Sequence, residues 1–362
     1  MRRSNNGSLS MKKIIMTGGG SAGHVMPNIA LIEKLRDEGY EIHYIGTKNG
    51  IERELVEKYD YVTYHPISSG KLRRYFSLKN LTDPFRVLKG ISQSRRIVKK
   101  VEPNVVFSKG GFVSVPVVMA AKGKAPIIVH ECDFTPGLAN RIGAKYADRI
   151  CVSFEDTLSC VGSKGIYTGS PVRRELTDGN AAKGRRFLGF SSDKPILLSM
   201  GGSLGAAAIN DALRSSLDEL TKRFNVVHIC GKGKVDGSID IDGYKQFEFI
   251  GDELGDVFAC TSLMISRAGA NAVFEILALN MPSILIPLPK AVSRGDQLLN
   301  AAYFERRGYS LVLDQDALTR ESLIRAVNEL DSKRDSLKKA MAADNGANAA
   351  ERVMNVIRSY TR

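Results

Sequence analysis

A glycine-rich stretch near the start of the chain has the residue types that hold an anion. It reads GGGSAGH over 18–24, after a short apolar run and before a helical pattern in which Ile29, Ile32 and Leu35 share one face. A helix N-terminus presents unpaired backbone N–H groups and a dipole that favours negative charge, and glycines let the backbone approach a diphosphate closely. We therefore predict an anion-binding loop here, with His24 at its end.

The same arrangement occurs again about half a chain length later. A strand-like run at 196–200 leads into GGSLG at 201–205, and Ile209, Leu213 and Leu217 then mark one face of a helix. Two such halves predict two nucleotide-binding-like domains that face each other across a cleft.

The first loop also satisfies the dinucleotide fingerprint GxGxxG through Gly18, Gly20 and Gly23. That fingerprint requires an acidic residue at the end of the second strand, where it binds the ribose. The corresponding strand here ends at 44–47 as Tyr-Ile-Gly-Thr, without an acid. Nicotinamide or flavin binding is therefore disfavoured.

Further polar stretches follow predicted strands, and strand ends of this type gather at one sheet edge. They are KGGFVSVP at 109–116, HECD at 130–133, RAGANAVFE at 267–275 and the pair Asp296-Gln297. The Glu275 carboxylate is able to accept hydrogen bonds from both hydroxyls of a ribose, although glutamates are also common near helix starts without a ligand. The stretch Asp240-Ile241-Asp242 has the form of a metal-binding DxD motif, but two aspartates are too few oxygen ligands to predict a metal site.

Apolar runs alternate with helical patterns along most of the chain. Because these runs are continuous rather than alternating, they predict parallel strands buried on both faces and an α/β, doubly wound sheet in each half. The predicted strands are Ile14–Met16, Ile42–Ile45, Val105–Phe107, Ile127–Val129, Ile196–Met200, Val226–Ile229, Leu263–Ile265, Ile284–Ile286 and Ser310–Leu313.

The organisation along the chain follows from these patterns. Residues 1–10 are polar and predicted to be a disordered extension, residues 11–170 form an N-terminal domain, and residues 171–346 form a C-terminal domain. The last segment, 347–362, carries apolar residues at helical spacing, and we expect it to pack back on the N-terminal domain.

Length and composition exclude several protein classes. The chain has 362 residues, enough for two domains with cores of their own. Its apolar runs are far shorter than the roughly 20 residues of a membrane-spanning helix, and its basic N-terminus lacks the apolar core of a secretory signal. The five cysteines are odd in number and form no CxxC pair, so neither a disulfide framework nor a zinc site is indicated, and a reducing cytoplasm fits.

The net charge of +13 is concentrated between residues 71 and 100, which hold ten basic residues and one acid. This stretch is consistent with a solvated helix face, with attachment to an anionic membrane surface, or with nucleic-acid binding. Aromatic residues lie among the charges and favour the membrane reading. The candidate membrane residues are Arg73, Arg74, Tyr75, Phe76 and Phe85.

The complete set of motifs resembles the MurG family, the UDP-N-acetylglucosamine:lipid I N-acetylglucosaminyltransferases of peptidoglycan synthesis. The resemblance runs in the family's order from Lys12 to the C-terminus. It implies the GT-B fold, with an N-terminal acceptor domain and a C-terminal donor domain. Besides the stretches above, it rests on SSGKLRRY at 68–75, GSPVR at 169–173, FIGD at 249–252 and RGDQLLNA at 294–301.

The resemblance also implies roles for individual residues. His24 or Glu131 would be the catalytic base, and the choice between them stays open. Acceptor binding would fall to Gly18, Gly19, Gly20, Gly110, Gly111 and Ser114. Donor binding would fall to Ser21, Ala22, Gly23, Asp133, Arg173, Ser203, Ile250, Ala270, Asn271, Ala272, Val273, Phe274, Glu275 and Gln297. The chain departs from the common family pattern at Ser21, Ala22, Asp133 and Asp296, and an acid at 133 suits a diphosphate poorly.

The implied reaction is an inverting transfer of N-acetylglucosamine from UDP-N-acetylglucosamine to the C4 hydroxyl of the N-acetylmuramyl unit of lipid I, giving lipid II. It implies no metal and no cofactor, a peripheral location at the cytoplasmic face of the cell membrane, and other cell-wall synthesis proteins as further partners. Two alternatives remain: a GT-B glycolipid synthase acting on diacylglycerol, and, more distantly, a non-enzymatic nucleic-acid-binding protein. Nucleic acid is not an expected partner under the first interpretation.

Overall fold

The computed structural model describes residues 11–70, 79–202, 205–291, 293, 295–344 and 348–361, without the side chains of 79–82. The chain divides into two compact units. Unit 1 runs up to Pro171 and resumes at Ala350, and unit 2 spans Val172–Ala349.

Unit 1 is built on a seven-stranded sheet in which every pairing is parallel. The strand order is β3-β2-β1-β4-β5-β6-β7, so the order reverses between β1 and β4. The strands are β1 Lys13–Thr17, β2 Glu41–Thr47, β3 Val62–Ile67, β4 Val105–Ser108, β5 Ile127–Glu131, β6 Arg149–Val152 and β7 Gly165–Tyr167.

Helices cover both faces of this sheet, and β1 shows why. Its side chains alternate between two apolar clusters: Ile14 and Met16 belong to one, and Ile15 belongs to the other. A strand buried on both faces is apolar at every position, which is the pattern in the sequence. The helices of unit 1 are α1 Met26–Asp37, α2 Ile51–Val56, α3 Lys79–Val101, α4 Ser114–Ala121, α5 Leu138–Ala144 and α6 Leu158–Val161, with α15 Ala349–Arg358 at the end of the chain.

Unit 2 repeats the arrangement with six parallel strands in the order β10-β9-β8-β11-β12-β13. The strands are β8 Ile196–Met200, β9 Asn225–Ile229, β10 Tyr244–Phe247, β11 Thr261–Ser266, β12 Ser283–Leu285 and β13 Leu311–Val312. The helices are α7 Arg174–Thr177, α8 Ala181–Leu188, α9 Ala207–Ser215, α10 Leu217–Arg223, α11 Leu254–Cys260, α12 Ala270–Ala278, α13 Asp296–Arg306 and α14 Arg320–Ala343.

The predicted α/β class with doubly wound parallel sheets is confirmed in both units. The nine predicted strands are all present, and no end differs from the predicted one by more than two residues. Four strands were not predicted: β3, β6, β7 and β10. Three of these lie at sheet edges, where one side is less buried and the continuous apolar signal is lost.

The last helix, α15, packs on unit 1. Val353, Met354 and Ile357 are buried in the apolar cluster that also holds the inner face of α1. Burial of side chains of this size contributes roughly 1.5–3 kcal/mol each. Arg358 pairs with Glu38 at the C-terminal end of α1, with 3.0 Å from Nε to Oε2.

The two order reversals locate the ligand positions. In doubly wound sheets, ligands bind beyond the carboxyl ends of the strands where the order reverses. In unit 1 these are the ends of β1 and β4, which lead into the stretches at 18–24 and 109–113. In unit 2 they are the ends of β8 and β11, which lead into the stretches at 201–206 and 267–269.

Candidate active site

The first glycine loop connects β1 to a single 3₁₀ turn, Ala22–His24, and α1 begins at Met26. The His24 ring lies inside this loop, with its Nδ1 2.9 Å from the Ser21 hydroxyl oxygen. Burial and, to a smaller extent, the positive charge of Lys109 lower the pKa of His24 to about 4. The imidazole is therefore neutral at pH 7 and has a lone pair available for a proton.

A buried carboxylate supports the loop from below. One oxygen of Glu52, at the start of α2, accepts the Gly20 backbone N–H at 3.2 Å. Its other oxygen accepts the backbone N–H and the hydroxyl of Thr47 at 2.9 and 2.5 Å. A Cβ at Gly19 would lie 2.6 Å from this carboxyl group. Sequence reasoning missed Glu52, because its partners come from the ends of β1 and β2.

The second glycine loop, after β4, packs directly against the first. Gly111 has φ of +82°, and a Cβ there would lie 2.1 Å from the Gly19 carbonyl oxygen. Only glycine fits that position, because both the backbone conformation and the contact exclude a side chain. The two loops that were predicted to meet at one edge are therefore in backbone contact.

The remaining predicted residues of the second loop have structural contacts. The φ of Gly110 is +93°, and a Cβ there would lie 2.6 Å from the Asn140 side chain. Ser114, the first residue of α4, is buried and donates its hydroxyl to the Gly111 carbonyl at 2.8 Å. The Ser114 hydroxyl thus holds the loop in shape.

A fully buried lysine lies beneath both loops. Lys109 donates from Nζ to Nδ1 of His130 at 2.8 Å, and Nε2 of His130 contacts the Gly169 carbonyl at 3.0 Å. A carbonyl only accepts, so Nε2 carries the ring proton and Nδ1 accepts from the lysine. Burial and the Lys109 charge hold the pKa of His130 well below its usual range. The imidazole is therefore neutral.

The carboxylate of Glu131, the alternative base, accepts hydrogen bonds from the segment that follows it. One carboxylate oxygen accepts the Asp133 backbone N–H at 2.9 Å. The other accepts the Gly137 N–H and the Asn140 amide, each at 2.9 Å. These bonds join the end of β5 to the start of α5.

One cluster in the described part of unit 1 has the residue types of a metal site. Ligand atoms of Glu131, Cys132 and Asp133 lie within 4.8 Å of one another. Burial raises the pKa of the Cys132 thiol to about 12, which keeps it protonated, and metal ligation requires the thiolate. With the Glu131 oxygens also occupied, this donor set fits a metal poorly.

In unit 2, the stretch after β8 forms the counterpart of the first loop. Gly202 has φ of +88°, and the Gly205 N–H donates to the Gly202 carbonyl at 2.8 Å. A Cβ at Gly201 would lie 2.7 Å from the Ala206 backbone nitrogen, just before α9 begins. Ser203, the predicted diphosphate contact, lies outside the described residues.

Arg173 and Glu275 interact at long range within unit 2. Burial raises the pKa of Glu275 to about 7, and the Arg173 charge opposes that shift. The Arg173 Nε is buried and, among the described residues, has no hydrogen-bond partner. A buried guanidinium N–H without an acceptor is costly in a native structure, and a ligand oxygen would satisfy it.

The other predicted residues of α12 differ in how far their side chains are buried. Ala270 is the first residue of the helix, and Asn271 and Ala272 are half-buried beside it. Val273 and Phe274 point into the core, where the Phe274 ring packs edge-on against Phe304. Their side chains are therefore core groups. Ile250 is also buried, in the loop that follows β10.

Gln297, in the first turn of α13, accepts the Leu288 backbone N–H through Oε1 at 3.1 Å. Its amide orientation is thereby fixed, with Nε2 as the other polar atom of the side chain. Arg267, which sequence reasoning did not single out for a role, is buried and donates to the Ile286 carbonyl at 2.9 Å. It ties the end of β11 to the end of β12.

The basic stretch is described only in part. Arg73, Arg74, Tyr75 and Phe76 lie outside the described residues. Within α3, Phe85 is 74% exposed and Leu88 is 63% exposed. The inner face of this helix is formed by other residues, including the buried Ile91, Val98 and Val101. None of the helices in the described ranges combines the length and apolarity of a membrane span.

The two doubly wound sheets and their paired glycine loops define a glycosyltransferase of the GT-B class. Residues 14–152 match the glycosyltransferase family 28 N-terminal domain, and residues 196–357 match the family 28 C-terminal domain. The chain belongs to glycosyltransferase family 28, and the resemblance to the MurG family is confirmed.

Curated relatives match nearly the whole chain. A Clostridium tetani protein is 51% identical and a Lachnoclostridium phytofermentans protein is 53% identical, each over 96% of this chain and 98% of the relative. Both are named UDP-N-acetylglucosamine--N-acetylmuramyl-(pentapeptide) pyrophosphoryl-undecaprenol N-acetylglucosamine transferase. The crystal structure of Acinetobacter baumannii MurG is 26% identical, with a TM-score of 0.75 over 96% of this chain and 99% of that one.

The environment of His24 makes a prediction about its titration. We expect the His24 ring to titrate near pH 4 in proton NMR of the ligand-free protein, well below the roughly 6.5 of a free imidazole. In Lys109→Met the removed charge lets this pKa rise, while burial keeps it below 6.5. Lys124→Met, at an exposed lysine of the same unit, is the control and leaves it unchanged. A wild-type value near 6.5 would contradict the burial described here.

Proposed function

We propose that this protein transfers N-acetylglucosamine from UDP-N-acetylglucosamine to lipid I and so forms lipid II. The observation that carries this proposal is the identity of 51–53% over 96% of the chain with relatives named for this reaction. Neither diacylglycerol nor nucleic acid occurs in those names, so the alternative functions have no comparable support.

Unit 2 is proposed to hold the donor. The Arg173 Nε supports this because it is a buried donor without an acceptor among the described residues, and the diphosphate of UDP offers several acceptor oxygens. Glu275 would accept from the ribose hydroxyls, with Ala270, Asn271 and Ala272 beside it. Ser203 would hold the diphosphate, Ile250 would contact the uracil through its backbone, and the Gln297 Nε2 would read a sugar hydroxyl.

Unit 1 is proposed to hold the acceptor. The two glycine loops in contact would face its diphosphate, above the buried charge of Lys109. His24 would be the general base. In the tautomer whose Nδ1–H donates to the Ser21 hydroxyl, Nε2 would carry the lone pair that takes the proton. Glu131 would act as a positioning residue, since its carboxylate is already bonded three times.

In the proposed reaction, the C4 hydroxyl oxygen of the acceptor attacks C1 of the donor sugar from the side opposite the UDP. The bond from C1 to the UDP oxygen breaks, and its electron pair stays on the diphosphate. The hydroxyl proton moves to His24. Arg173 and the helix N-terminus after the 201–206 loop would stabilise the charge that develops on the diphosphate, without a metal or a cofactor.

The direct test is release of UDP in the presence of a lipid I analogue. We expect turnover with UDP-N-acetylglucosamine, and a fall of roughly a hundred- to ten-thousandfold in His24→Ala, the usual loss on removing a general base. UDP affinity, measured by calorimetry, stays as in the parent. Turnover with diacylglycerol and none with the lipid I analogue would overturn the proposal.

The donor assignments are tested by binding. In Glu275→Ala we expect UDP affinity to fall by roughly ten- to a hundredfold, because a charged hydrogen bond to a ligand contributes about 1.5–3 kcal/mol. Gln297→Ala should bind UDP nearly as the parent does and turn over UDP-N-acetylglucosamine more slowly. Unchanged UDP affinity in Glu275→Ala would remove that residue from the site.

We also propose peripheral attachment to an anionic membrane through the N-terminal part of α3 and the stretch before it. Phe85 and Leu88 are exposed apolar side chains, each followed directly by a basic residue, Arg86 and Lys89, which suits an anionic lipid surface. This would place the protein at the cytoplasmic face of the cell membrane, where other cell-wall synthesis proteins are potential partners.

Vesicle sedimentation tests this attachment. We expect binding to vesicles with anionic lipid, weaker binding at high salt, and loss of binding in Phe85→Ser/Leu88→Ser. The control is Val235→Ser/Ile241→Ser, which removes two exposed apolar side chains from unit 2. Parent-like sedimentation of the α3 variant would exclude this helix as the docking surface.

A further inference from the structure

Unit 1 contains a cavity of about 890 Å³ beside the first glycine loop. It opens between the end of β2 with α2 on one side and the N-terminal part of α3 on the other. Gly20 and Ser21 form the part of its wall nearest to His24, and the Ser21 hydroxyl is 2.9 Å from the His24 ring. A group bound at His24 therefore has this volume directly next to it.

The polar side chains that line the cavity differ in whether they already have hydrogen-bond partners. Glu52 lines it, but both of its carboxylate oxygens already accept bonds from Gly20 and Thr47. Lys48 and Arg86 lie on the exposed rim.

Asp83 is the exception within the cavity. It is 4% exposed, and its Oδ2 is buried without a hydrogen-bond partner within the described part of the chain. Its other oxygen is 3.7 Å from the exposed Arg86 guanidinium, a weak contact. A buried carboxylate oxygen without a donor costs free energy unless a ligand supplies one. The chemistry that satisfies it best is a cationic N–H donor, because charge-assisted bonds are the strongest.

We infer that this cavity binds the peptide part of the acceptor and that Asp83 receives a side-chain ammonium group of that peptide. The inference rests on the proposed function, in which the acceptor sugar lies at His24. The relatives' name contains a pentapeptide joined to the N-acetylmuramyl unit. Because that peptide begins on the sugar itself, it must occupy volume adjacent to the first loop. The rim cations would suit its carboxylates.

The test compares two water-soluble lipid I analogues that differ only at the side-chain amine of the peptide. One carries a free side-chain amine on the peptide, and the other carries the same amine N-acetylated. With the parent protein we expect acetylation to raise the acceptor KM about tenfold and to leave kcat nearly unchanged, because the side-chain amine does not take part in the reaction at the hydroxyl. Equal KM values for the two analogues would overturn the inference, while turnover of both would leave the proposed function intact.

The variant Asp83→Asn keeps the side-chain volume and removes the charge. We expect its KM for the free-amine analogue to rise to that of the acetylated one, so that it no longer distinguishes the two. The matched control is Asp60→Asn, at an exposed aspartate before β3, which should discriminate as the parent does. Equal losses with both analogues in Asp83→Asn would show a structural role instead. Absence of turnover with either analogue in the parent would count against the proposed function itself.

Discussion

The contact of two backbones, at Gly19 and Gly111, is the constraint on which unit 1 depends. β1 and β4 are paired up to their last residues, Thr17 and Ser108, so the loops that follow them meet. A Cβ at 111 would lie 2.1 Å from the Gly19 carbonyl oxygen. Because the two loops carry no side chains at these glycines, neighbouring side chains have to hold the loop backbone in place. Glu52 accepts from the first loop, and Ser114 donates to the second. Glycine backbone has no side chain to keep an anionic ligand away from it, and of the first loop's N–H groups the one at Gly20 is already bonded to Glu52.

The same packing explains how a lysine is buried in this unit. Lys109 follows β4 immediately, so the tight loop turns its side chain inward beneath the glycines. There its Nζ donates to Nδ1 of the neutral His130 ring. The His130 Nε2–H in turn donates to the Gly169 carbonyl. The positive charge disfavours protonation of both His24 and His130. Lys109 thus supplies positive charge behind the loops and adds to the burial that keeps both imidazoles neutral.

The sequence was sufficient for features that have a local cause. The double burial of the central strands produces continuous apolar runs, so the sheet class and the loops after β1, β4, β8 and β11 followed from them. Edge strands such as β10, with Lys245 and Gln246 half-buried, carry no such signal. The three donors to the Glu131 carboxylate, at Asp133, Gly137 and Asn140, could not be predicted from the sequence, because they depend on how the 131–140 segment turns. The contacts of Glu52 and the burial of the Asp83 Oδ2 could not be predicted either, because they depend on which segments lie side by side in the fold.

The return of α15 to unit 1 has a consequence for the order of folding during synthesis. Unit 2 is a continuous segment, and all of it is translated before the last helix. The cluster around α1 lacks Val353, Met354 and Ile357 until then, although α1 itself is among the first elements translated. The first half of the chain is therefore the last to complete its core. The apolar face that α15 covers in unit 1 stays exposed until that helix has been translated.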